Sequence, residues 1–198
     1  MSTIAKLVIV FFLLSPLSNA FAVDKAKVPK KYRTPQSLYL TPKETYQLVK
    51  KRKQAKNLLF LDIRTQAELE FVGWTNIVDA NLPYLFNDFD EWNKKKRRFG
   101  KGNNTEFVKR VGAHLKRKKL TTDSVVILLC RNGDRSSKAA ALLDKAGYKN
   151  VYIVVGGFEG YKAKSGTNKG KRTVNGWKNS GLPWTYRLTR SKMYFDLE

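Results

Sequence analysis

The chain has 198 residues, a length that suits a single domain with a full hydrophobic core. Its 39 Lys and Arg residues outnumber its 16 Asp and Glu residues, and a formal net charge of +23 favours anionic ligands and acidic surfaces as binding partners. A single cysteine excludes a disulfide within the chain, and one cysteine with one histidine cannot form a zinc cage, so no metal is expected. No other cofactor is expected either.

The first segment, residues 1–22, has the pattern of a secretory signal peptide. Lys6 precedes an apolar run over residues 7–14, and Ala20 and Ala22 place small side chains at the positions that a signal peptidase reads. The apolar run is shorter than the ~20 residues that span a membrane, although an uncleaved N-terminal anchor is the alternative. We expect cleavage after Ala22, a periplasmic or secreted protein, and membrane contact only through this segment.

The next segment begins a series of helices and strands. Residues 23–37 are rich in Lys and Pro and indicate an N-terminal arm. Thr41 and Pro42 mark a helix start, because a hydroxyl can cap the first turn and proline suits the first helical position. The elements predicted up to Pro83 are a helix to about Lys53, a strand over Asn57–Ile63, a helix over Gln66–Phe71 and a strand over Asn76–Leu82.

The second half continues the alternation after residues 84–101, which are aromatic and then basic and predict no clear element. The predicted elements are an amphipathic helix Thr105–Lys118, a strand Val125–Leu129, a helix Ser136–Ala146 ended by Gly147, a strand Asn150–Val155, a short helical piece Phe158–Lys162 and a loop 164–171. Because the strands are continuous apolar runs between helices, we predict an α/β domain over residues 38–188, with a mostly parallel sheet covered by helices on both faces. Residues 189–198 form a tail. The aromatic segment before it, which contains Trp177, Trp184 and Tyr186, is expected to wrap back onto the body of the domain.

Cys130 lies where a strand runs into a short polar loop and then a helix. Such a strand–loop–helix arrangement aims successive backbone N–H groups and a helix N-terminus at one point, where an anion is stabilised. A lone cysteine is either a buried, inert side chain or a thiol kept free for chemistry. The polar loop that follows Cys130 favours the reactive alternative.

Several segments resemble rhodanese-type sulfurtransferases. The loop Cys130–Ser136 resembles the active-site loop of that family, and Leu61–Thr65 with Glu68 resembles its Asp-x-Arg-x-x-x-Glu element. Gly73 to Tyr84, Val155–Phe158 and Gly176–Pro183 resemble its remaining elements, so that the resemblance covers about residues 38–185. Trp74 stands where the family usually has a histidine, and segments 84–119 and 164–175 are longer than in a minimal member.

The resemblance implies a three-layer rhodanese-like domain and transfer of a sulfane sulfur through a persulfide on Cys130. The donor would be a small anion such as thiosulfate or another persulfide, and the acceptor a thiol or cyanide. A free thiol, with a reference pKa of about 8.5, is mostly protonated at neutral pH, so such a site must favour the anion. The loop offers three means to do so: inward N–H groups, a helix N-terminus and two arginines.

Each loop residue has an expected role. Arg131 would hold the oxygens of the donor through its planar guanidinium, and Arg135 would brace the loop by pairing with Asp134 or Asp62. Gly133 would allow a tight turn, and Ser136 with Ser137 would cap the helix. Asn132 and Asp134 complete the loop, whereas Asp62 and Arg64 either support it or form a structural ion pair.

Two other functions fit the same loop. A Cys-dependent phosphatase or arsenate reductase uses a similar loop, but with one more residue between the cysteine and the arginine that binds phosphate. A rhodanese-like module without activity would keep the fold as a binding surface. His114 lies in a basic helix, which argues against a Cys–His pair.

The basic surface has its own expected partners. The runs Lys94–Arg98 and Lys116–Lys119 are typical of solvated faces, although an acidic protein is a possible partner. The sequence shows no arrangement of aromatic and basic residues that would form a nucleic-acid-binding platform, and we therefore expect no nucleic-acid partner.

Overall fold

The structure, a computed structural model, describes residues 23–51 and 56–195. The predicted signal peptide, the end of the first predicted helix and the last three residues of the tail lie outside the described residues. Within the described ranges, no helix combines the length and the apolar character needed to cross a membrane.

The described part of the chain contains four α-helices and nine β-strands. The helices are α1 (Pro42–Lys50), α2 (Gln66–Val72), α3 (Phe107–Arg117) and α4 (Asp134–Lys145). The strands are β1 (Tyr39–Leu40), β2 (Leu58–Asp62), β3 (Ala80–Asn81), β4 (Leu85–Asn93), β5 (Arg98–Asn103), β6 (Val125–Leu129), β7 (Asn150–Val154), β8 (Tyr161–Lys162) and β9 (Arg172–Val174).

Five strands form a parallel central sheet in the order β1-β7-β6-β2-β3. The sequence-based prediction of a mostly parallel sheet is thus confirmed. β6 lies at the centre and pairs with β2 and β7, so Cys130, which follows β6, lies at the carboxyl edge of the sheet. Binding sites in open parallel sheets form at this edge.

The strands alternate their side chains between two hydrophobic cores. Leu59 and Leu61 of β2 contribute to the core that α3 and α4 cover, whereas Leu58 and Phe60 contribute to the core on the side of α1 and α2. A strand buried on both faces has no polar alternation, which explains the continuous apolar runs in the sequence. The prediction of helices on both faces is therefore also confirmed.

The N-terminal arm and the segment around Trp177 both pack against the sheet and its helices. Val28 and Tyr32 of the arm are buried in the core next to α4, and Trp177 is buried in the opposite core. Beyond Trp177 the chain returns to Trp74, which exchanges backbone hydrogen bonds with Thr185. The aromatic segment therefore wraps back as predicted, whereas the domain boundaries stay predictions.

Two predicted elements are wrong in kind or extent. The strand expected over Asn76–Leu82 is limited to Ala80–Asn81, because the carboxylate of Asp79 accepts a hydrogen bond from the amide of Phe60 and the chain turns before it. The helical piece expected over Phe158–Lys162 is a turn followed by β8. Gly156, Gly157 and Gly160 have φ of 78°, 60° and 93°, which a right-handed helix does not accept.

Residues 84–101, for which the sequence predicts no element, form most of an antiparallel hairpin. β4 pairs with β5, and the register shifts between Asp88 and Trp92. A second, shorter hairpin joins β8 to β9 and accounts for much of segment 164–175. Both hairpins lie outside the central sheet.

Candidate active site

The thiol of Cys130 accepts two backbone hydrogen bonds. The amide of Gly133 lies 3.1 Å from Sγ and the amide of Ser136 lies 3.4 Å from it. Cys130 itself is 0% exposed and belongs to the core beside α4. The sulfur is therefore buried, but the N–H groups of its loop point to it, as the strand–loop–helix pattern predicts.

The loop takes this shape because Gly133 adopts the left-handed conformation, with φ of 101°, immediately before α4. The helix starts at Asp134, two residues earlier than predicted, and no side chain caps it. The expected capping role of Ser136 and Ser137 is thus wrong. The hydroxyl of Ser136 donates to the carbonyl of Leu128 instead, which fastens the first turn of α4 to β6, and the hydroxyl of Ser137 donates to the carbonyl of Asp134 within α4.

Arg135 pairs with Glu68, and the expected pairing with Asp134 or Asp62 is wrong. Its two terminal nitrogens lie 2.6 and 2.5 Å from the two carboxylate oxygens of Glu68, a bidentate arrangement. Burial opposes ionisation of Glu68, but the hydrogen bonds and charge of Arg135 outweigh it and lower the pKa of this carboxyl to about 2. The pair joins the loop to the first turn of α2, where Glu68 also completes a capping box with Thr65.

Asp62 and Arg64 form a fully buried ion pair at 2.7 Å. Arg64 also donates to the carbonyl of Gly73, and its guanidinium lies 3.9 Å from the centre of the Phe158 ring. The amide of Phe158 in turn donates to the carbonyl of Cys130 at 2.7 Å. Asp62 and Arg64 do not line the cavity above the loop, and the pair supports the loop from below through Phe158.

The Gly156-Gly157 turn approaches the loop more closely than a side chain would allow. A Cβ atom on Gly157 would lie 2.3 Å from the carbonyl oxygen of Cys130 and 2.6 Å from the amide nitrogen of Asn132. Two residues after Gly157, the backbone amide of Glu159 donates a hydrogen bond to the carbonyl of Arg131. The turn thus holds the first two loop carbonyls in place, and it explains why glycine stands at this position.

We expect Gly157→Ala to lower the free energy of unfolding by about 2–3 kcal/mol, since it adds both a left-handed alanine and a contact with loop backbone. Urea unfolding measures this change. Gly166→Ala is the matched control, because Gly166 has a similar φ of 69° but open space around its Cβ position. Equal losses in the two variants would show that the close approach contributes nothing.

A cavity of about 630 Å³ opens above the loop. Arg131, Asn132, Asp134 and Arg135 line it from the loop side. The two hairpins supply five further cations. The β4–β5 hairpin contributes Lys96, Arg98 and Lys101, and the β8–β9 hairpin contributes Lys162 and Arg172. Seven of its eleven lining residues are Lys or Arg, which makes the cavity suited to an anion.

The cations of this cavity repel one another. Burial lowers the pKa of Lys101 and, although Glu68 opposes this shift, the charges of neighbouring arginines add to it. Burial and the charge of Arg131 likewise lower the pKa of Arg172. An anion bound in the cavity would favour the charged forms of Lys101 and Arg172 and so oppose both downward pKa shifts.

Arg131, which lines this cavity, has one donor without a partner among the described residues. Its Nε is buried and has no hydrogen-bond partner, whereas buried donors in folded proteins are nearly always paired. Asn132 has a different environment, because its amide donates to the hydroxyl of Tyr32 at 3.0 Å. Tyr32 also stacks on Tyr161, with 5.5 Å between ring centres, and so the arm covers one side of the loop.

His114 lies away from the loop, on α3. Its ring nitrogens contact Arg117, and burial, together with that charge, lowers its pKa to about 4. It does not line the cavity above Cys130. Within the described ranges, no group of three or more His, Cys, Asp and Glu residues is placed to hold a metal ion.

The structure therefore brings all seven predicted loop residues together and leaves Asp62 and Arg64 beneath them. Sequence reasoning missed the pairing of Glu68, the contact of Tyr32 and the five cations of the hairpins. Glu68 carried a signal, since it completes the Asp-x-Arg-x-x-x-Glu element, but the spacing did not show which arginine it meets. The hairpin cations carried no such signal, because only strand pairing outside the central sheet brings them to the cavity above the loop.

Comparisons with known proteins found a matching family model and similar proteins. The family model described as the rhodanese-like domain matches residues 44–164. RP600 of Rickettsia prowazekii, an uncharacterized protein, is 31% identical over 130 residues, which cover 66% of this chain and 85% of that protein. Thiosulfate sulfurtransferase 18 of Arabidopsis thaliana is 34% identical over 110 residues, which cover 53% of this chain and 71% of that protein.

Similar chains are also found among solved structures. The crystal structure of Rv0390 from M. tuberculosis has a TM-score of 0.51 and 25% sequence identity with this chain, and the match covers 75% of this chain and 97% of that one.

Proposed function

Because the chain belongs to the rhodanese-like domain family, we propose that it is a sulfurtransferase that carries one sulfane sulfur atom on Cys130. One observation carries the proposal: the amides of Gly133 and Ser136 both point to Sγ, within a loop whose side chains line a cationic cavity. Backbone N–H groups held in this way stabilise a thiolate, and after transfer they stabilise a persulfide.

The first half-reaction takes sulfur from an anionic donor such as thiosulfate. The Cys130 thiolate attacks the outer sulfur, a new S–S bond forms, and the sulfur–sulfur bond of thiosulfate breaks with its electron pair leaving on sulfite. Arg131 holds the oxygens of the donor through its planar guanidinium, and Arg172 adds charge on the side of the second hairpin. The product is a persulfide at Cys130 with its negative terminal sulfur in the cavity.

The second half-reaction returns the thiolate. A nucleophilic acceptor, cyanide or a thiol, attacks the terminal sulfur, and the persulfide bond breaks with its electrons returning to Sγ. With cyanide the product is thiocyanate. No cofactor takes part, because the sulfur atom moves as a neutral unit between two nucleophiles.

The surrounding residues position the loop rather than contact the reacting atoms. The Arg135–Glu68 pair fixes the start of α4, and therefore the direction of the Ser136 amide. The buried Asp62–Arg64 pair supports Phe158, which holds the carbonyl of Cys130. Such supporting contacts keep a site within the narrow geometry that chemistry needs.

A second candidate function is a binding module without transfer activity. The observation that favours it is the complete burial of Cys130, since a donor can reach Sγ only if loop side chains lining the cavity move. In that case the cationic cavity would bind an anion that is never attacked.

The proposal includes export. Residues 1–22 have the pattern of a signal peptide, and the protein would then act in the periplasm or outside the cell. The strongly basic surface would there meet small anionic donors and acidic partner proteins.

Mass spectrometry after incubation with thiosulfate tests the sulfur-carrier proposal. We expect one additional sulfur atom on the peptide that contains Cys130, an equivalent release of sulfite, and loss of the added sulfur when cyanide is supplied. Unchanged mass of this peptide, together with binding of thiosulfate, would support the non-catalytic module instead.

A further inference from the structure

The hairpin β4–β5 exposes three large aromatic side chains. Phe89, Trp92 and Phe99 are 67%, 54% and 48% exposed. They form one cluster, in which Phe99 contacts Phe89 with 5.2 Å between ring centres and Trp92 with 5.5 Å, both in edge-to-face geometry. An exposed aromatic cluster of this kind costs solubility and marks an interaction surface.

A run of five cations lies next to this cluster. Lys94 to Arg98 connect the two strands and begin β5, and all five are exposed. The three acids of the hairpin, Asp88, Asp90 and Glu91, all lie on β4 before the run. The turn of the hairpin therefore combines apolar rings with excess positive charge.

We propose that the β4–β5 hairpin binds the surface of a bilayer that contains anionic phospholipids. Lys94, Lys95 and Arg97 would meet the phosphate headgroups, and the aromatic cluster would enter the interface between headgroups and acyl chains. Aromatic rings favour this region of a bilayer, and basic residues near it are attracted by anionic lipids.

The geometry of the cluster favours a bilayer over the other anionic partners. A nucleic acid stacks its bases on aromatic faces, but the contacting rings of this cluster are inclined by 73° and 85° to each other and do not form a continuous stacking platform. An acidic protein would match the charge of the run without accounting for three exposed rings. A bilayer accounts for both the cationic run and the exposed rings, because its headgroups are anionic and the region beneath them is apolar.

Docking through this hairpin would also orient the candidate active site. Lys96 and Arg98 belong to the cationic run and line the cavity above Cys130. A docked hairpin therefore holds the mouth of the cavity close to the bilayer. This orientation rests on the position of the cavity alone and not on sulfur transfer, so the binding test below is independent of the proposed activity.

Sedimentation with vesicles tests the proposal. We expect the protein to bind vesicles of phosphatidylcholine with phosphatidylglycerol and to bind pure phosphatidylcholine far more weakly. The triple change Lys94→Gln, Lys95→Gln and Arg97→Gln should weaken binding roughly a hundredfold, since each basic residue near an anionic surface contributes about a fivefold factor. The fluorescence of Trp92 should shift to shorter wavelength on binding, and the shift should be absent in Trp92→Phe.

Matched controls separate this surface from overall charge. Lys116→Gln, Lys119→Gln and Lys145→Gln remove the same charge from exposed positions elsewhere, and Phe71→Ser removes an exposed aromatic ring from α2. Neither control should change binding more than about threefold. Equal weakening by the control triple, a fluorescence shift that persists in Trp92→Phe, or hairpin-dependent binding of single-stranded RNA or an acidic peptide without vesicle binding would overturn the proposal.

Discussion

The variant Cys130→Ala is expected to form no thiocyanate from thiosulfate and cyanide above the uncatalysed rate. Cys130 is the only cysteine of the chain, so no second thiol can take over the sulfur. Without Sγ there is no atom to form the new S–S bond, and the transition-state stabilisation by the loop amides has nothing to act on. A colorimetric thiocyanate assay under equal protein concentrations measures the loss.

Cys130→Ser is the control for the loop. A serine oxygen can still accept hydrogen bonds from Gly133 and Ser136, so this variant should keep the melting temperature of the wild type within a few degrees while losing transfer. Thiocyanate formation that survives both substitutions would contradict the role of Cys130. Hydrolysis of an aryl phosphate that disappears in both would instead support the phosphatase alternative.

The parts of the structure that follow from local sequence were predictable. β2, β6 and β7 are short runs of apolar residues, and helices α1 and α2 begin at threonines that cap them. The junction of β6 with α4 placed Cys130 beneath backbone amides because strand, glycine and helix follow one another without interruption. Each of these features depends on residues a few positions apart.

The features that were missed depend on contacts between distant residues. Arg135 lies one position from Asp134, yet it pairs with Glu68, since α2 presents that carboxylate to the loop. The β4–β5 hairpin was not predicted because a register shift interrupts its pattern and most of its side chains face solvent. Tyr32 reaches Asn132 across 100 positions. Hydrophobic periodicity and secondary-structure propensity carry no information on contacts between residues that are distant in the sequence.

The variant Glu68→Gln is expected to lower the free energy of unfolding by about 3 kcal/mol at neutral pH, because the mostly buried Arg135 loses the carboxylate that pairs with it. The loop end would also be released, so we expect slower sulfur transfer. Urea unfolding measures the stability loss. Glu70→Gln is the matched control, the same change on the same helix at an exposed position, and it should cost less than about 0.5 kcal/mol.

The pH dependence of this difference identifies its cause. Folding lowers the pKa of Glu68 from 4.5 to about 2, so the wild type gains stability from the ionised carboxylate that is fully present above pH 4.5. As the pH falls through about 2 the folded carboxyl takes up its proton, and the gain disappears. We therefore expect the stability difference between wild type and Glu68→Gln to be constant above pH 4.5 and to shrink toward zero near pH 2. A difference that stays constant over this range would show that packing of the side chain, and not its charge, holds Arg135 in place.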